Sequence, residues 1–163
     1  MIRLIIELLT AAHEVAVCVT GDSAIDEYLH RLALAEQARG LAAVHVATSE
    51  ALGVVGFFTL SPLSLRVDEN LERVLATTGL PYRQLGGYLL GRLGVDKDHQ
   101  GKGVGAALVS EAIGIARAQQ TTAGGVFLAV DPKTTELAAW YRRLGFAPLE
   151  PNQRRLRMVF PLR

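Results

Sequence analysis

The sequence predicts a mixed α/β fold in which a twisted sheet is flanked by helices. In some segments apolar and polar residues alternate, which is typical of strands, and in the segments between them apolar residues recur at helical spacing. Residues 89–107, LLGRLGVDKDHQGKGVGAA, run from an apolar strand through a charged turn into a glycine-rich helix start. Because 163 residues suffice for one hydrophobic core, we expect a single domain over residues 1–163.

The first elements are expected to be a strand over residues 13–19 and a helix that runs to about Arg39. Between them lies a turn, and Ser23 with Asp26 is interpreted as the capping box of the helix. The core-facing residues of this helix are expected to be Ile25, Tyr28, Leu29 and Leu32.

An antiparallel strand pair is predicted next, at residues 43–48 and 54–60, with Ser61-Pro62 ending its second strand. The remaining elements alternate between helix and strand. In chain order they are a helix at 68–77, a strand at 88–96, a helix that begins near Gly103, a strand at 126–130, a helix that begins at Thr134 with Gly145 as its C-cap, and a strand at 157–160.

Bulk properties agree with a small globular domain. A net charge of +1 and a pI near 8.0 give no general preference for nucleic acid or a membrane surface. The single cysteine, Cys18, stands among valines and is interpreted as a small buried hydrophobe in a reducing compartment. The apolar N-terminal stretch is interrupted by Glu7, so we expect no signal peptide and a cytoplasmic location. No metal site is predicted.

The glycine-rich loop at residues 100–106 is interpreted as an anion site. Its glycines let the backbone approach a ligand closely, and the free amides at a helix start favour a phosphate or pyrophosphate. The Walker spacing is excluded, because six residues separate Gly94 from Gly101 where that motif has four.

Two cofactor patterns and one plain structural alternative fit the loop. The dinucleotide fingerprint G-x-G-x-x-A is formally met by Gly101, Gly103 and Ala106, but a charged turn separates it from the strand end at Val95. The pattern Q-x-x-G-x-G, which starts at Gln100, directly follows a strand ending in Val-Asp. The plain alternative is a capped helix with turn glycines.

The second pattern resembles the acetyl-coenzyme A loop of the GNAT N-acetyltransferases. Residues 134–146, TTELAAWYRRLGF, resemble that family's aromatic-Tyr signature, with Thr134 where many members carry Asn. The resemblance implies the GNAT fold with about six to seven strands, and direct transfer of the acetyl group from acetyl-coenzyme A to a primary amine. It further implies that Tyr141 protonates the departing thiolate. The cofactor-binding residues that it implies are Leu93, Gly94 and Val95 for the thioester and pantetheine arm, and Gln100, Gly101, Lys102, Gly103, Val104, Gly105 and Ala106 for the pyrophosphate.

Longer stretches resemble one branch of that family, the toxins of toxin–antitoxin pairs. They are HEVAVCVTG, AIDEYLHRLALAEQ, VVGFFTLSP, YLLGRLGVD and WYRRLGF. This resemblance implies acetylation of the amino group of aminoacyl-tRNA and a ribbon-helix-helix antitoxin as partner, and we expect a homodimer. The chain departs from the branch at Cys18 and Thr20, and at residues 81–87, which lack repeated prolines.

Basic side chains are candidates for contacts to tRNA phosphates, although the 3′-phosphate of coenzyme A or plain solvation would also explain them. They are Arg92, Arg142, Arg143, Arg154 and Arg155, with Lys102 and Arg157 nearby in the sequence. We assign no general base, because Asp131 and His99 are each explained as a strand-end or turn residue. A small-molecule amine as acceptor, or a non-catalytic module that binds coenzyme A or a nicotinamide cofactor, stays open.

Overall fold

The computed structural model describes residues 3–150 and 156–163. They form two compact units, one containing the described residues up to Ser61 with Gly91–Ala112, and the other Pro62–Leu90 with Ile113–Arg163. Seven strands are found in the described residues, interspersed with helices, which confirms the predicted mixed α/β class and strand number. None of the helices in that part of the chain is long and apolar enough to cross a membrane.

The first unit contains four strands or parts of strands. These are β1 (Ile5–Leu8), β2 (Ala43–Thr48), the beginning of β3 (Val54–Arg66) and the end of β4 (Gln84–Val95). Strand β2 pairs antiparallel with β1 and with β3, and β4 is the other neighbour of β3. The predicted antiparallel pair is therefore confirmed, and its core side chains, such as Val44, Val46 and Phe57, are buried.

The first strand lies earlier in the chain than predicted. Residues 13–19 form turns and one isolated bridge between Glu14 and Gly53, so the strand expected there is wrong. Local hydrogen bonds bend this backbone, from Thr10 N to His13 Nδ1 at 2.9 Å and from Cys18 N to Val15 O at 3.0 Å. Cys18 is fully buried, as predicted.

The predicted helix after the first turn is confirmed as three consecutive segments. They are α1 (Ser23–Glu27), a π-helical turn (Tyr28–Leu32) and α2 (Ala33–Ala38). The capping box is wrong, because the side chain of Asp22 caps the helix by accepting from the amides of Ala24 and Ile25. Asp26 instead accepts from the amide and hydroxyl of Thr20.

The π-helical turn also changes which side chains face the core. Tyr28 and Leu29 are buried as predicted, but Leu32 is 47% exposed. A π turn holds more residues than an α turn, so the helical spacing used for the prediction no longer applies after Tyr28. Ala33 is buried in the place that Leu32 was expected to take.

The second unit contains the rest of β3 and β4, together with three strands and further helices. In chain order these are α3 (Glu69–Leu75), the end of α4 (Val104–Ala123), β5 (Phe127–Val130), α5 (Thr135–Arg143), β6 (Ala147–Pro148) and β7 (Met158–Pro161). The strand order is β3-β4-β5-β7-β6, in which β4 and β5 are parallel and β7 is antiparallel to both of its neighbours.

Strand β3 continues beyond the point where Ser61-Pro62 was expected to end it. The hydroxyl of Ser64 donates to the side chain of Gln84, and Val67 N donates to Arg83 O. The extension of β3 is therefore hydrogen-bonded to the start of β4 and to the residue before it. Leu65 is buried in the core of the second unit, which accounts for the extension in energetic terms. The short strand β6 has no counterpart in the prediction.

Candidate active site

The predicted anion loop connects β4 to α4 within the first unit. After Val95 the chain makes a short 3₁₀ turn (Lys97–His99), and then Gly101 and Gly103 adopt positive φ angles of 75° and 84°. A Cβ atom built on either glycine would have no protein atom within 4 Å. The loop therefore leaves open space directly beside its backbone, as a site for a phosphate group requires.

Helix α4 begins at Val104, directly after the loop, as predicted. The amide of Ala107 is the donor of the helix's first bond, to Gly103 O at 3.1 Å. The amides of Val104, Gly105 and Ala106 precede this bond, so helix geometry gives them no acceptor inside the helix. These amides and the positive end of the helix dipole favour a bound anion.

The side chain of Gln100 supports the loop from within. Its Nε2 donates to Thr20 O and to Val95 O, each at 3.0 Å. The predicted contact of Gln100 with the cofactor would accordingly be made by its backbone. The neighbouring Lys102 is exposed and adds a positive charge to the loop.

Asp96 was not predicted as a site residue, yet it organises the start of the loop. Its carboxylate accepts from Val19 N at 2.9 Å, from Asp98 N at 3.2 Å and from His99 Nδ1 at 2.9 Å. Asp96 is only 6% exposed. Burial raises the pKa of Asp96, but the hydrogen bonds from Val19, His99 and Asp98 outweigh it and lower the pKa below its ordinary value.

Asp96→Asn is expected to destabilise the protein by about 2–4 kcal/mol, because an amide group would turn a donor toward backbone N–H groups. The effect should be full at pH values above the ordinary Asp pKa of ~4, and it should shrink as the pH falls through the lower pKa of the folded state. Urea unfolding of both proteins between pH 3 and 8 measures this difference. Asp98→Asn, the same change at an exposed neighbour, is the control, and equal losses in both variants would contradict the role of Asp96.

The end of β4, Gly91–Val95, is the outermost strand of the first unit. Asp96 N donates to Val55 O and Arg92 N to Thr59 Oγ1, so the even-numbered amides face β3. Since N–H groups alternate along a strand, the amides of Leu93 and Val95 face the opposite edge. They are therefore placed as donors for an extended ligand such as a pantetheine arm.

Gly94 owes its residue type to packing. A Cβ atom at this position would lie 2.9 Å from Ile25 Cγ2, from Phe57 Cε1 and from Thr20 Cγ2. The amide of Gly94 lies on the β3 side by the alternation described above. The missing side chain thus allows α1 to pack closely on β4.

Tyr141 lies in the last turns of α5, in the second unit. It is 7% exposed, and its ring meets Trp140 and Phe146 edge to face at centroid distances of 4.9 and 5.3 Å. Burial raises the pKa of Tyr141 to about 12. Its hydroxyl therefore stays protonated, and able to donate, throughout the neutral range.

The ends of α5 differ by one residue from the prediction, because the helix itself begins at Thr135 and its C-cap is Leu144 rather than Gly145. Thr134 is the N-cap, and its hydroxyl oxygen accepts from Leu137 N at 3.1 Å. Gly145, directly after Leu144, has a φ of 103°, a conformation that favours glycine. In this structure, Thr134 thus serves the helix at the position where many GNAT enzymes carry Asn.

The arginines predicted to contact phosphates, and the nearby Arg157, differ in their exposure and in their partners. Arg142 and Arg143 are exposed at the end of α5, directly after Tyr141. Arg157 is not a free cation, because its guanidinium holds both carboxylate oxygens of Asp131 at 2.7 Å. Arg92 is exposed and lies over an aromatic ring. Arg154 and Arg155 lie outside the described residues.

Comparison with known proteins identifies the family. Residues 41–148 match the family model of the acetyltransferase (GNAT) domain, which is more than half of the chain. The chain belongs to the GNAT acetyltransferase family. This GNAT protein is accordingly an N-acetyltransferase that depends on acetyl-coenzyme A.

Its relatives include toxins. The GNAT chain is 30% identical over 142 residues to a tRNA-acetylating toxin of Mycobacterium tuberculosis, covering 86% of this chain and 83% of that protein. AtaT complexed with acetyl-methionyl-tRNAfMet has a TM-score of 0.86 at 23% identity, over 98% of this chain and 95% of the other. A Tyr-to-Phe variant of the toxin AtaT, bound to the C-terminus of the antitoxin AtaR and acetyl-coenzyme A, has a TM-score of 0.81 at 22% identity, over 98% and 93%. At these identities the two structures show a shared fold.

Proposed function

We propose that this enzyme acetylates the α-amine of aminoacyl-tRNA and thereby stops translation, as the toxin of a toxin–antitoxin pair. The observation that carries the proposal is the similarity to the tRNA-acetylating toxin of Mycobacterium tuberculosis, which extends over 86% of the chain. The fold shared with AtaT, whose structure holds acetyl-methionyl-tRNAfMet, supports the same class of acceptor.

The residues of the first unit fit acetyl-coenzyme A, which supplies the acetyl group as a thioester when bound. The open space beside Gly101 and Gly103 and the first-turn amides of α4 suit its pyrophosphate. Lys102 adds a charge that favours the same group. The outward amides of Leu93 and Val95 are assigned to the pantetheine arm and the thioester carbonyl, which they would orient and polarise.

Tyr141 is assigned as the acid of the reaction. The amine nitrogen forms its bond to the carbonyl carbon as the carbon–sulfur bond breaks, and the departing sulfur requires a proton. The hydroxyl of Tyr141 carries that proton across the neutral range because burial raises its pKa. An α-amine has a pKa of only ~8 and is already partly neutral, so it can attack without a dedicated base. The proton that it loses after the attack goes to solvent.

Direct attack by the amine fits the chain better than a covalent enzyme intermediate. Burial, with added effects of Asp96 and Asp26, raises the pKa of Cys18 to about 12, which leaves a thiol rather than a nucleophilic thiolate. His99 donates to Asp96, and Asp131 holds Arg157. Neither of these two side chains is assigned as a base.

Arg142 and Arg143 are proposed to contact phosphates of the tRNA. Because each neutralised phosphate releases counterions, the acetylation rate at subsaturating tRNA should fall steeply with salt. Reversing both charges, in Arg142→Glu with Arg143→Glu, is expected to raise the KM for aminoacyl-tRNA at least ~10-fold and to lower the salt slope by roughly 1 to 2. Steady-state kinetics at several salt concentrations measures both.

The control for this prediction reverses two other exposed arginines, Arg66 and Arg83, which gives the same change in net charge. This control should keep a KM close to the native value. Equal effects of the two double variants would mean that only the overall charge matters. An acetyl-coenzyme A affinity that falls with the tRNA affinity would reassign Arg142 and Arg143 to the cofactor.

Four further features belong to the same proposal. The enzyme would act in the cytoplasm, where aminoacyl-tRNA is found, and residues 1–163 would act as one acetyltransferase domain. A ribbon-helix-helix antitoxin would neutralise it, and the enzyme would be a homodimer. Co-expression with the neighbouring gene and light scattering of the purified protein test the last two.

A further inference from the structure

Arg92 is an exposed residue whose backbone and side chain each make one contact within the first unit. Its backbone amide donates to the hydroxyl oxygen of Thr59 at 3.0 Å, and Thr59 is buried. The central carbon of its guanidinium lies 3.8 Å from the centroid of the Tyr28 ring. An exposed arginine side chain has considerable rotamer freedom to lose, and the contact with the ring removes part of it in advance.

Tyr28 forms a rigid platform for that guanidinium. It lies in the π-helical turn and is 2% exposed. Its ring stacks on Phe57, with centroids 6.3 Å apart and an interplanar angle of 18°. Burial, and then the carboxylate of Glu36, raise the pKa of Tyr28, while Arg92 acts to lower it, so the ring stays a neutral phenol at neutral pH.

Stacking restrains the guanidinium without using up its hydrogen-bond donors. The central carbon of the guanidinium lies over the ring, and a guanidinium that stacks on a ring keeps the N–H donors of its plane for other partners. A planar fork of this kind matches a phosphate or carboxylate in a bidentate manner. Fixing it beforehand reduces the entropy that is lost when the anion binds.

The position of Arg92 in β4 indicates which anion its guanidinium would bind. Arg92 directly precedes Leu93, whose outward amide is assigned to the acyl arm. Adjacent residues of a strand lie only ~3.3 Å apart along it, so the backbone of Arg92 lies next to the amide that is assigned to the acyl group. In aminoacyl-tRNA the reacting amine is carried by the 3′-terminal nucleotide, and its nearest anions are the last phosphodiesters of the acceptor strand.

We propose that Tyr28 is a positioning residue that holds Arg92 ready to bind a phosphodiester near the 3′ end of the acceptor tRNA. The inference rests on the proposed function, because it names how the same site recognises its acceptor. Phosphates also occur in coenzyme A, so the experiment separates the two sources by measuring both affinities.

The test is a double-mutant cycle on the full-length enzyme, with Tyr28→Leu, Arg92→Ala and both changes together. Tyr28→Leu is expected to raise the KM for aminoacyl-tRNA by about 3- to 10-fold, and Arg92→Ala by about 10-fold or more, with smaller changes in kcat. The double variant should match Arg92→Ala, because Tyr28 acts only through that side chain. The acetyl-coenzyme A affinity, measured by calorimetry, should stay native in all three.

Conservative variants separate positioning from a structural role. Tyr28→Phe keeps the ring and should restore the native KM, whereas Arg92→Lys keeps the charge but loses the planar fork and should raise it. This second pair of variants also decides the question if Tyr28→Leu does not fold, as judged by circular dichroism. Additive effects in the cycle, or a native KM in Arg92→Ala and Arg92→Lys, would overturn the proposal.

Two further outcomes are distinguishable. Weaker binding of acetyl-coenzyme A by the Arg92 variants would assign this arginine to the cofactor and overturn the tRNA contact. If the native enzyme acetylates no aminoacyl-tRNA, the proposed function itself fails. A native enzyme that acetylates tRNA, with variants that behave like it, would overturn only the role of Tyr28 and Arg92.

Discussion

Tyr141→Phe is expected to slow acetyl transfer by roughly 10- to 1,000-fold while the fold and the binding of acetyl-coenzyme A persist. The change removes the hydroxyl that is assigned to protonate the departing sulfur. The phenyl ring would keep its edge-to-face contacts with Trp140 and Phe146, so little stability should be lost. Single-turnover kinetics at saturating acetyl-coenzyme A and acceptor measures the chemical step.

The same change at an exposed tyrosine, Tyr82→Phe, is the control and should react at the native rate. The pH profile adds a second check. Because burial raises the pKa of Tyr141 to about 12, the hydroxyl keeps its proton up to about pH 11, and Tyr141 should contribute no loss of rate below that pH. A native rate in Tyr141→Phe would show that this residue only packs.

Gly103→Val is expected to weaken the binding of acetyl-coenzyme A by roughly 100-fold or more. The new side chain would extend into the open space beside the loop, where the pyrophosphate is assigned. The positive φ of 84° would also strain the loop by ~1–3 kcal/mol. Calorimetric titration with coenzyme A gives the affinity, and a thermal melt gives the cost in stability.

Gly40→Val is the matched control for this prediction. Gly40 has a similar φ of 75° and open space around it, and it follows α2 rather than the loop. It should lose comparable stability and keep the native cofactor affinity. Undiminished affinity in Gly103→Val would overturn the loop assignment, and tight binding of NADH by the native protein would favour the dinucleotide pattern instead.

The local features of the fold could be predicted because they depend on neighbouring residues. The positive φ angles of Gly101 and Gly103 and the start of α4 follow from a short glycine pattern after an apolar strand. A glycine just after the end of α5, Gly145, likewise follows from a local pattern at the end of an amphipathic helix. The family comparison confirms the resemblance that these motifs suggested.

The predictions that are wrong concern segments whose structure depends on long-range contacts or unusual turns. Leu32 is exposed because a π-helical turn interrupts the α-helical spacing, and no residue type in that segment predicts such a turn. Residues 13–19 alternate like a strand, yet hydrogen bonds around Thr10 and Cys18 bend them. The pairing of Arg92 with Tyr28 joins residues that lie far apart in sequence, so periodicity alone could not reveal it.

The roles of Asp96 and Gly94 were missed for a related reason. Asp96 bonds Val19, and Gly94 meets Ile25 and Phe57, all of which come from distant parts of the chain. A charged residue at a strand end and a glycine in a strand each have many explanations. Only the folded arrangement shows that one holds the loop and the other lets a helix approach.

Identification of the acetylated product decides whether the acceptor is the α-amine of aminoacyl-tRNA. The purified enzyme would be incubated with acetyl-coenzyme A and a pool of aminoacyl-tRNAs, and the products would be hydrolysed and analysed by mass spectrometry. We predict N-acetylated amino acids released from tRNA by the native enzyme, and far less of them from Tyr141→Phe. Robust acetylation of free small amines, with no N-acetylated aminoacyl-tRNA, would overturn the assignment of aminoacyl-tRNA as the acceptor.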